Sequence, residues 1–586
     1  MYRFDGKVTE VLVSKIVRFF KGYGEPIKLD DGCNALLQDM ENAIQDFSLK
    51  AKEGIKIKRM QDVPSMTIPR MKPENQLNEY QLLPVLHAHR LGNTANFSVP
   101  GSGKTWMSYA TYFLSGKAKP VDDGPVDKLL VIGPLSSFRP WEDEYVEMTG
   151  KQPNSVRITG TPENRRGIFS KADKYEIFLI SYRTAANELE NIIEIMKKYK
   201  FFIIVDESHH IKNPDSISSR AILKISKFAH KRMILTGTMM PNDVEDLWAQ
   251  FRFLYPNGEL VGNFDNFRYL LKETNSLDNL RQKLYPFYTR ISKSKLKLPD
   301  QEIIRPPPIP MGSIQRRIYL TIAGYIKKQD PNYRDDLFAM RKWRKKSIIY
   351  LLEASTDPSL LTKNSQFNEE LISGTGLPID KLLDNYSNFE VPGKLDAVKE
   401  LAVTSLKNNT KIIIWCSFIG TIKKLEQMLM DYSPLTIYGA IPSNDEIDKE
   451  DNREKRINQF KSSPIHNLLI ANPASLAESI SLHKVCHHAI YVDRTFNGGH
   501  YMQSLERIHR VGMDRSVKTR YTILQSEDSI DQKINDRLEE KKARMERFLD
   551  DDSFQPLNLE MEYDNPIGPN SELDEDYESV LEGLGD

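Results

Sequence analysis

Apolar residues in this chain fall in short runs, and the spacing of the runs predicts its elements. Over residues 1–66 they recur at helical intervals among charges, as with Val8, Val11, Leu12, Ile16, Val17 and Phe20, which predicts a mostly helical N-terminal accessory region. Pro64, Pro69 and Pro73 mark an extended link. From about 77 to 240 the runs become β-rich: LLVIG at 129–133, IFLI at 177–180, FFIIV at 201–205 and RMILTG at 232–237. A second set follows residue 391: KIIIWC at 411–416, NLLIA at 467–471, AIYVD at 489–493 and RYTIL at 520–524. Continuous apolar runs separated by helix-length segments predict buried parallel sheets with helices on both faces. Residues 243–390 are helical, charged and aromatic, and RKWRKK at 341–346 is their most basic point. The expected fold is α/β: parallel-sheet lobes at 67–242 and 391–548, a helical insertion at 243–390 between them, an N-terminal region at 1–66 and an acidic tail at 549–586.

Length and composition agree with this. At about 150 residues per domain, 586 residues make three or four folding units. Hydrophobic residues at 40% and charged residues at 28% exclude wholesale disorder. The net charge is zero, but it is unevenly placed. Residues 550–586 hold thirteen acidic residues and no Lys or Arg, which leaves 1–549 at +13. Within the tail, Leu573, Tyr577, Val580, Leu581 and Leu584 share one face of a helix that Ser571 and Asp574 open as a short-armed capping box. Such a face needs a groove, on this chain's own cationic surface or on a partner; the plainer reading is a disordered solubilising tail. Cys33, Cys416 and Cys486 are too few and too scattered for a disulfide framework or a zinc site. There is no apolar stretch long enough to span a membrane, and MYRFDGKVTEVLV does not read as a signal peptide. The expectation is a cytoplasmic protein without a membrane partner.

The sharpest chemical signal is Ser98-Val99-Pro100-Gly101-Ser102-Gly103-Lys104-Thr105. Binding a triphosphate requires backbone N–H groups turned inward, a cation at the terminal phosphates and a hydroxyl for Mg²⁺. Gly101, Ser102, Gly103, Lys104 and Thr105 supply these, although Ser98 stands where the common pattern has glycine. FFIIV runs straight into Asp206-Glu207-Ser208-His209. Two carboxylates ending a buried strand are costly unless they have chemistry to do. Asp206, with Thr105, is expected to hold Mg²⁺, and Glu207 to orient and deprotonate the attacking water. The expected cofactors are ATP and Mg²⁺.

These residues resemble the Swi/Snf-type ATPases of helicase superfamily two, in order over roughly 77–545. Leu77-Asn78-Glu79-Tyr80-Gln81 resembles the adenine-reading segment, which implies that Gln81 contacts the base. Val131-Ile132-Gly133-Pro134-Leu135 with Trp141 resembles the next motif. Asp206-Glu207-Ser208-His209-His210-Ile211-Lys212-Asn213 is similar to the DExH (DEAH-type) box. Leu235-Thr236-Gly237-Thr238-Met239-Met240-Pro241-Asn242 with Asp246-Leu247-Trp248 resembles the motif that couples hydrolysis to lobe movement, with Gly237 at the nucleotide. Pro392-Gly393-Lys394-Leu395 resembles the entry to the second lobe. Gln503-Ser504-Leu505-Glu506-Arg507-Ile508-His509-Arg510-Val511-Gly512 resembles the last motif. The resemblance implies RecA-like lobes with Arg507 and Arg510 reaching the γ-phosphate from lobe two, so that catalysis requires closure.

The stretch Asn472-Pro473-Ala474-Ser475-Leu476-Ala477-Glu478-Ser479-Ile480-Ser481-Leu482 departs from the family's glycine-rich segment, and Met513 replaces a usual Gln. Variants of this stretch resemble a bacterial branch, which points to antiphage defence or repair beside a nuclease or methyltransferase partner. The family tracks duplex DNA through its backbone, without reading bases. Position suggests Arg139, Ser181, Tyr182 and Lys212 in lobe one, and Ser417 and Arg494 in lobe two, as grips. Arg341, Trp343 and Arg344 are candidate braces, Trp343 by stacking on a base or sugar. The expected function is a DNA-dependent ATPase acting as a double-stranded DNA translocase or remodeller of protein–DNA complexes. Two alternatives stay open at this point: an RNA-dependent DExH helicase, and a nucleotide-gated DNA-binding scaffold that does not translocate.

Overall fold

The computed structural model describes residues 31–116, 125–237, 244–271, 276–296, 298–329, 337–363, 379–441, 452–476, 481–511, 513–514, 516–550 and 580. Two sheets organise them. The first contains β1 (Asn93–Asn96), β2 (Lys128–Ile132), β3 (Ser155–Ile158), β4 (Ile177–Ile180), β5 (Phe201–Asp206), β6 (Lys231–Leu235) and β7 (Tyr288–Thr289). Its order is β3-β4-β2-β5-β6-β1-β7, all parallel. The second contains β8 (Gln301–Ile304), β9 (Ile412–Trp415), β10 (Leu435–Ile437), β11 (Leu468–Ala471), β12 (His488–Tyr491) and β13 (Thr519–Ile523). Its order is β10-β11-β9-β12-β13-β8, again parallel throughout.

The apolar runs become central strands because both faces are covered. Phe201, Ile203 and Val205 of β5 join one core, while Phe202 and Ile204 join the core on the other face. In lobe two, Ile413 and Trp415 face one core, and Ile412 and Ile414 face the other. Cys416 and Cys486 are buried thiols inside lobe two, and burial pushes both up.

Residues 243–390 do more than form helices. They supply β7 to the first sheet and β8 to the second. Helices Ser313–Gln329, Leu337–Thr356 and Ile379–Phe389 place Ile318, Ile322, Leu351 and Tyr386 in the lobe-two core. N-terminally, helix Asp31–Lys58 is built into lobe one: Phe47 stacks on Phe287 at 4.8 Å and meets Tyr255 edge-on at 5.3 Å. Lobe two is tied internally by a buried ion pair, Lys394 Nζ to Asp531 Oδ2 at 2.6 Å. From residue 551 on the tail lies outside the described residues except for Val580, which is 1% exposed and part of the lobe-two core. No helix among the described residues is long and apolar enough to cross a membrane.

Candidate nucleotide site

The C-terminal ends of β1, β2, β5 and β6 open onto one cleft, the usual ligand position in parallel α/β sheets. After β1 the chain turns through the phosphate loop into helix Lys104–Ser115, with Gly101 and Gly103 at φ of 82° and 83°. Ser98 proves compatible with the loop because it is used: its Oγ accepts the Ile291 N–H at 2.9 Å, and its carbonyl accepts Lys104 Nζ at 2.9 Å. Gln81, expected at the adenine, braces the loop instead. Its Nε2 donates to the Ser102 carbonyl at 2.9 Å and its Oε1 accepts the Asn78 N–H, leaving it 4% exposed. The Ser102 hydroxyl is buried without a hydrogen-bond partner. Gly237 abuts Pro100 of the loop. Thr238–Asn242 of that motif lie outside the described residues.

The two carboxylates end β5. Trp141, on helix Phe138–Thr149, donates its indole N–H to Asp206 Oδ2 at 2.9 Å. Glu207 has φ of 54°, a sparsely populated backbone region for a non-glycine and a mark of functional strain. His209 Nδ1 lies 3.4 Å from Glu207 Oε2 and 3.2 Å from Thr236 Oγ1, while its Nε2 meets Gln503 Nε2 of lobe two at 3.2 Å. Burial and the Glu207 charge push Asp206 up. Burial alone would also raise Glu207, but the hydrogen bond and charge of His209, then Lys104 and Arg507, hold it low. Lys104 is lowered by burial, against the pull of Glu207, Glu506 and Asp206. Glu144, one helical turn beyond Trp141, also lines the cleft. Burial lifts it to about 7 against the opposing effects of Arg510 and Thr105.

Lobe two closes the cleft, whose volume is about 830 Å³. Arg507 and Arg510 both line it, facing Lys104, Thr105, Asp206 and Glu207. Arg510 lies over the phosphate loop: a β-carbon on Gly101 would fall 2.5 Å from its Cγ. Arg507 Nε donates to the Gln503 carbonyl at 3.1 Å. Lys461, Ser481, His483 and Lys484 complete the lobe-two wall. Sequence reading missed Glu144 and this wall. Glu144 had a local signal, since it falls on the helical face of Trp141.

A nucleotide fits these residues. Gly101 and Gly103, both at positive φ, and the buried Lys104 ammonium line the cleft as a phosphate cradle. Mg²⁺ fits too: the Thr105 hydroxyl and the Asp206 carboxylate are hard oxygen donors on one cleft.

The expected nucleic-acid grips fare differently. Arg139 pairs with Glu454 of lobe two and, at 3.5 Å, with Asp143, so it bridges the lobes. Ser181 accepts the Thr184 N–H at 3.2 Å as a helix cap, and the Tyr182 hydroxyl donates to the carbonyls of Asp206 and Glu207. Trp343 is half-buried and packs against the lobe-two core. Arg494 is 7% exposed and engages Asn535 at 2.9 Å and the Tyr501 ring. Ser417 is held by Asp493 and Asn472 and lines a small pocket with Arg494. Lys212 and Arg344 are half-buried, and of Arg341 only the backbone is described.

The sequence matches two family models, the SNF2-related domain over residues 48–362 and the Helicase conserved C-terminal domain over 393–512. Among curated proteins it is 24% identical to the ATP-dependent helicase FUN30 of Saccharomyces cerevisiae over 72% of this chain and 42% of that protein. It is 24% identical to the putative ATP-dependent helicase/translocase YwqA of Bacillus subtilis, over 78% and 46%. It is 23% identical to the lymphoid-specific helicase of Homo sapiens, over 82% and 64%. This chain therefore spans less than half the length of FUN30 and YwqA, and relatives from yeast, human and a bacillus single out no bacterial branch. Among solved structures, the Sulfolobus solfataricus SWI2/SNF2 ATPase core in complex with dsDNA is 20% identical, covering 83% of this chain and 94% of that one at a TM-score of 0.36. The first model alone covers more than half of the sequence, and the chain belongs to the SNF2-related family.

Proposed function

We propose that this chain is a DNA-dependent ATPase whose two lobes close on ATP and that moves along double-stranded DNA or displaces proteins bound to it. The observation that carries the reading is the meeting of lobe-one and lobe-two groups on one cleft, with Arg510 lying over Gly101. Lys104 neutralises the terminal phosphates. Glu207, held ionised by His209, Lys104 and Arg507, takes the proton of the attacking water. Arg507 and Arg510 meet the negative charge that spreads over the transferred phosphoryl group. Thr105 and Asp206 would hold Mg²⁺, which supplies charge neutralisation to the phosphate oxygens when bound. His209, which touches both Glu207 and Gln503, ties the base to the lobe that moves.

The track is proposed as duplex DNA on the resemblance of the Asp206–Asn213 box and on the +13 charge of residues 1–549. ATP hydrolysis measured with duplex DNA, single-stranded DNA and RNA tests this. Duplex stimulation supports it, and stimulation by RNA alone replaces it with an RNA-dependent ATPase. Glu207→Gln is expected to bind ATP and abolish turnover. A parent that never hydrolyses under any nucleic acid leaves a nucleotide-gated scaffold. Work in antiphage defence or repair, in the cytoplasm and beside a nuclease or methyltransferase, is proposed on the sequence of residues 472–482. Co-purification of a nuclease or methyltransferase with the chain tests it.

A further inference from the structure

The lobe-two wall holds an imidazole with no assigned work. His483 is 7% exposed and lines the cleft together with Lys104, Arg507 and Arg510. Its Nδ1 is hydrogen-bonded to the Ser481 hydroxyl. Its Nε2 is buried and has no hydrogen-bond partner. A buried polar atom left unpaired costs about 1–3 kcal/mol, so one on a residue that lines a ligand cleft points to a missing partner. The turn that carries it is fixed to the arginine motif, because the Leu482 N–H donates to the Arg507 carbonyl at 2.9 Å. Burial, then the charges of Arg510, Lys484, His487 and Lys461, holds the ring neutral, lowered to about 4. Lys461 is itself lowered by burial and by Lys484. The bond to Ser481 is compatible with either tautomer; an anion at Nε2 selects the one that carries its proton there, with the Ser481 hydroxyl then donating to Nδ1.

We propose that His483, oriented by Ser481 and flanked by Lys461 and Lys484, is a third lobe-two group, besides Arg507 and Arg510, that touches the nucleotide: its Nε2–H donates to an oxygen of the terminal phosphate and lets lobe two distinguish a triphosphate from a diphosphate. This rests on the ATP reading of the cleft. The ligand chemistry follows from the surroundings. A neutral N–H among cations recognises an anion, and the terminal phosphate is the part of ATP that ADP lacks.

The test is calorimetric titration of the full chain with Mg-ATP and Mg-ADP in a Glu207→Gln background. His483→Ala is expected to weaken ATP about tenfold, as for loss of one charge-assisted hydrogen bond, and to leave ADP within about twofold. His483→Gln, which restores a neutral donor, is expected to recover most of the ATP affinity. Ser481→Ala and Lys484→Ala each carry a smaller loss, about threefold and confined to ATP. Should His483→Ala fail to fold, these two variants decide the matter. Equal changes for the two nucleotides, or ATP affinity unchanged at unchanged thermal stability, overturn the proposal. Failure of the Glu207→Gln parent to bind either nucleotide overturns the ATP reading along with it, whereas a parent that binds and a variant that is indifferent overturns only the role of His483.

Discussion

Arg510 of lobe two rests on Gly101 of lobe one, so closely that a β-carbon at Gly101 would lie 2.5 Å from the arginine Cγ and 3.1 Å from its Nε. Gly101 also has φ of 82°, where L side chains are strained. Gly101→Ala is therefore expected to hinder both the loop and the approach of the other lobe. Steady-state hydrolysis should fall by about 100-fold or more, the scale of losing one transition-state contact, while circular dichroism stays unchanged. Turnover within about threefold of the parent contradicts this.

His209 touches Glu207, Thr236 and Gln503, which places one ring between a lobe-one carboxylate and lobe two. Gln503→Ala removes only the lobe-two contact. ATP affinity should stay within about threefold, and DNA-stimulated turnover should drop about fivefold, the scale of one neutral hydrogen bond. A loss of ATP affinity with stimulation intact would show that Gln503 serves binding instead.

Arg139 bridges the lobes through Glu454, and both side chains are partly exposed. Exposed pairs contribute about 0.2–1 kcal/mol, so Arg139→Glu is expected to lower turnover no more than about fivefold. Glu454→Arg in the same molecule should restore it. DNA affinity of Arg139→Ala at low salt should remain within about twofold. A large loss of affinity returns Arg139 to the DNA backbone.

His87 is fully buried, between the Pro286 carbonyl at 2.8 Å and the Thr94 hydroxyl at 3.1 Å. Burial, then the charge of Lys58, lowers it from 6.5 to about 3. The folded state thus favours the neutral ring, and the unfolded chain binds the proton more readily. The resulting stability is complete above about pH 6.5 and is lost as pH falls toward 3, by up to about 1.4 kcal/mol per unit. His87→Gln should flatten this acid limb, read as a smaller drop in Tm between pH 7 and pH 5. Parallel curves for parent and variant contradict it.

The central strands were legible because a strand covered on both faces must be a continuous apolar run, as FFIIV is. The sheet edges were not. Tyr288–Thr289 is only two residues long, and in Gln301–Ile304 half the side chains are exposed, so neither carries an apolar signature. The candidate nucleotide cleft was legible because the chemistry expected there demands fixed local spacing at Gly101–Thr105, Asp206–Glu207 and Arg507–Arg510, which the structure brings together. Roles decided by distant partners were hidden. Arg139 looks like any surface cation until Glu454 arrives from 315 positions away, and Trp343 shows no sign in sequence that it packs against the lobe-two core. His483 has meaning only beside Ser481 and the arginine turn.

Among the described residues the polypeptide passes from one sheet to the other along a single strand of chain, residues 290–300 between β7 and β8. Fully extended, that leash reaches about 40 Å at most. It also runs beside the arginine motif, with Lys293 3.7 Å from Glu506 and the Pro299 carbonyl 2.7 Å from His509. The halves are consequently never free of each other: at such a leash length each sees its counterpart at a local concentration of order millimolar. For the proposed motor, reopening after each cycle is then a short swing about a fastened pivot, with a stroke length bounded by eleven residues of backbone.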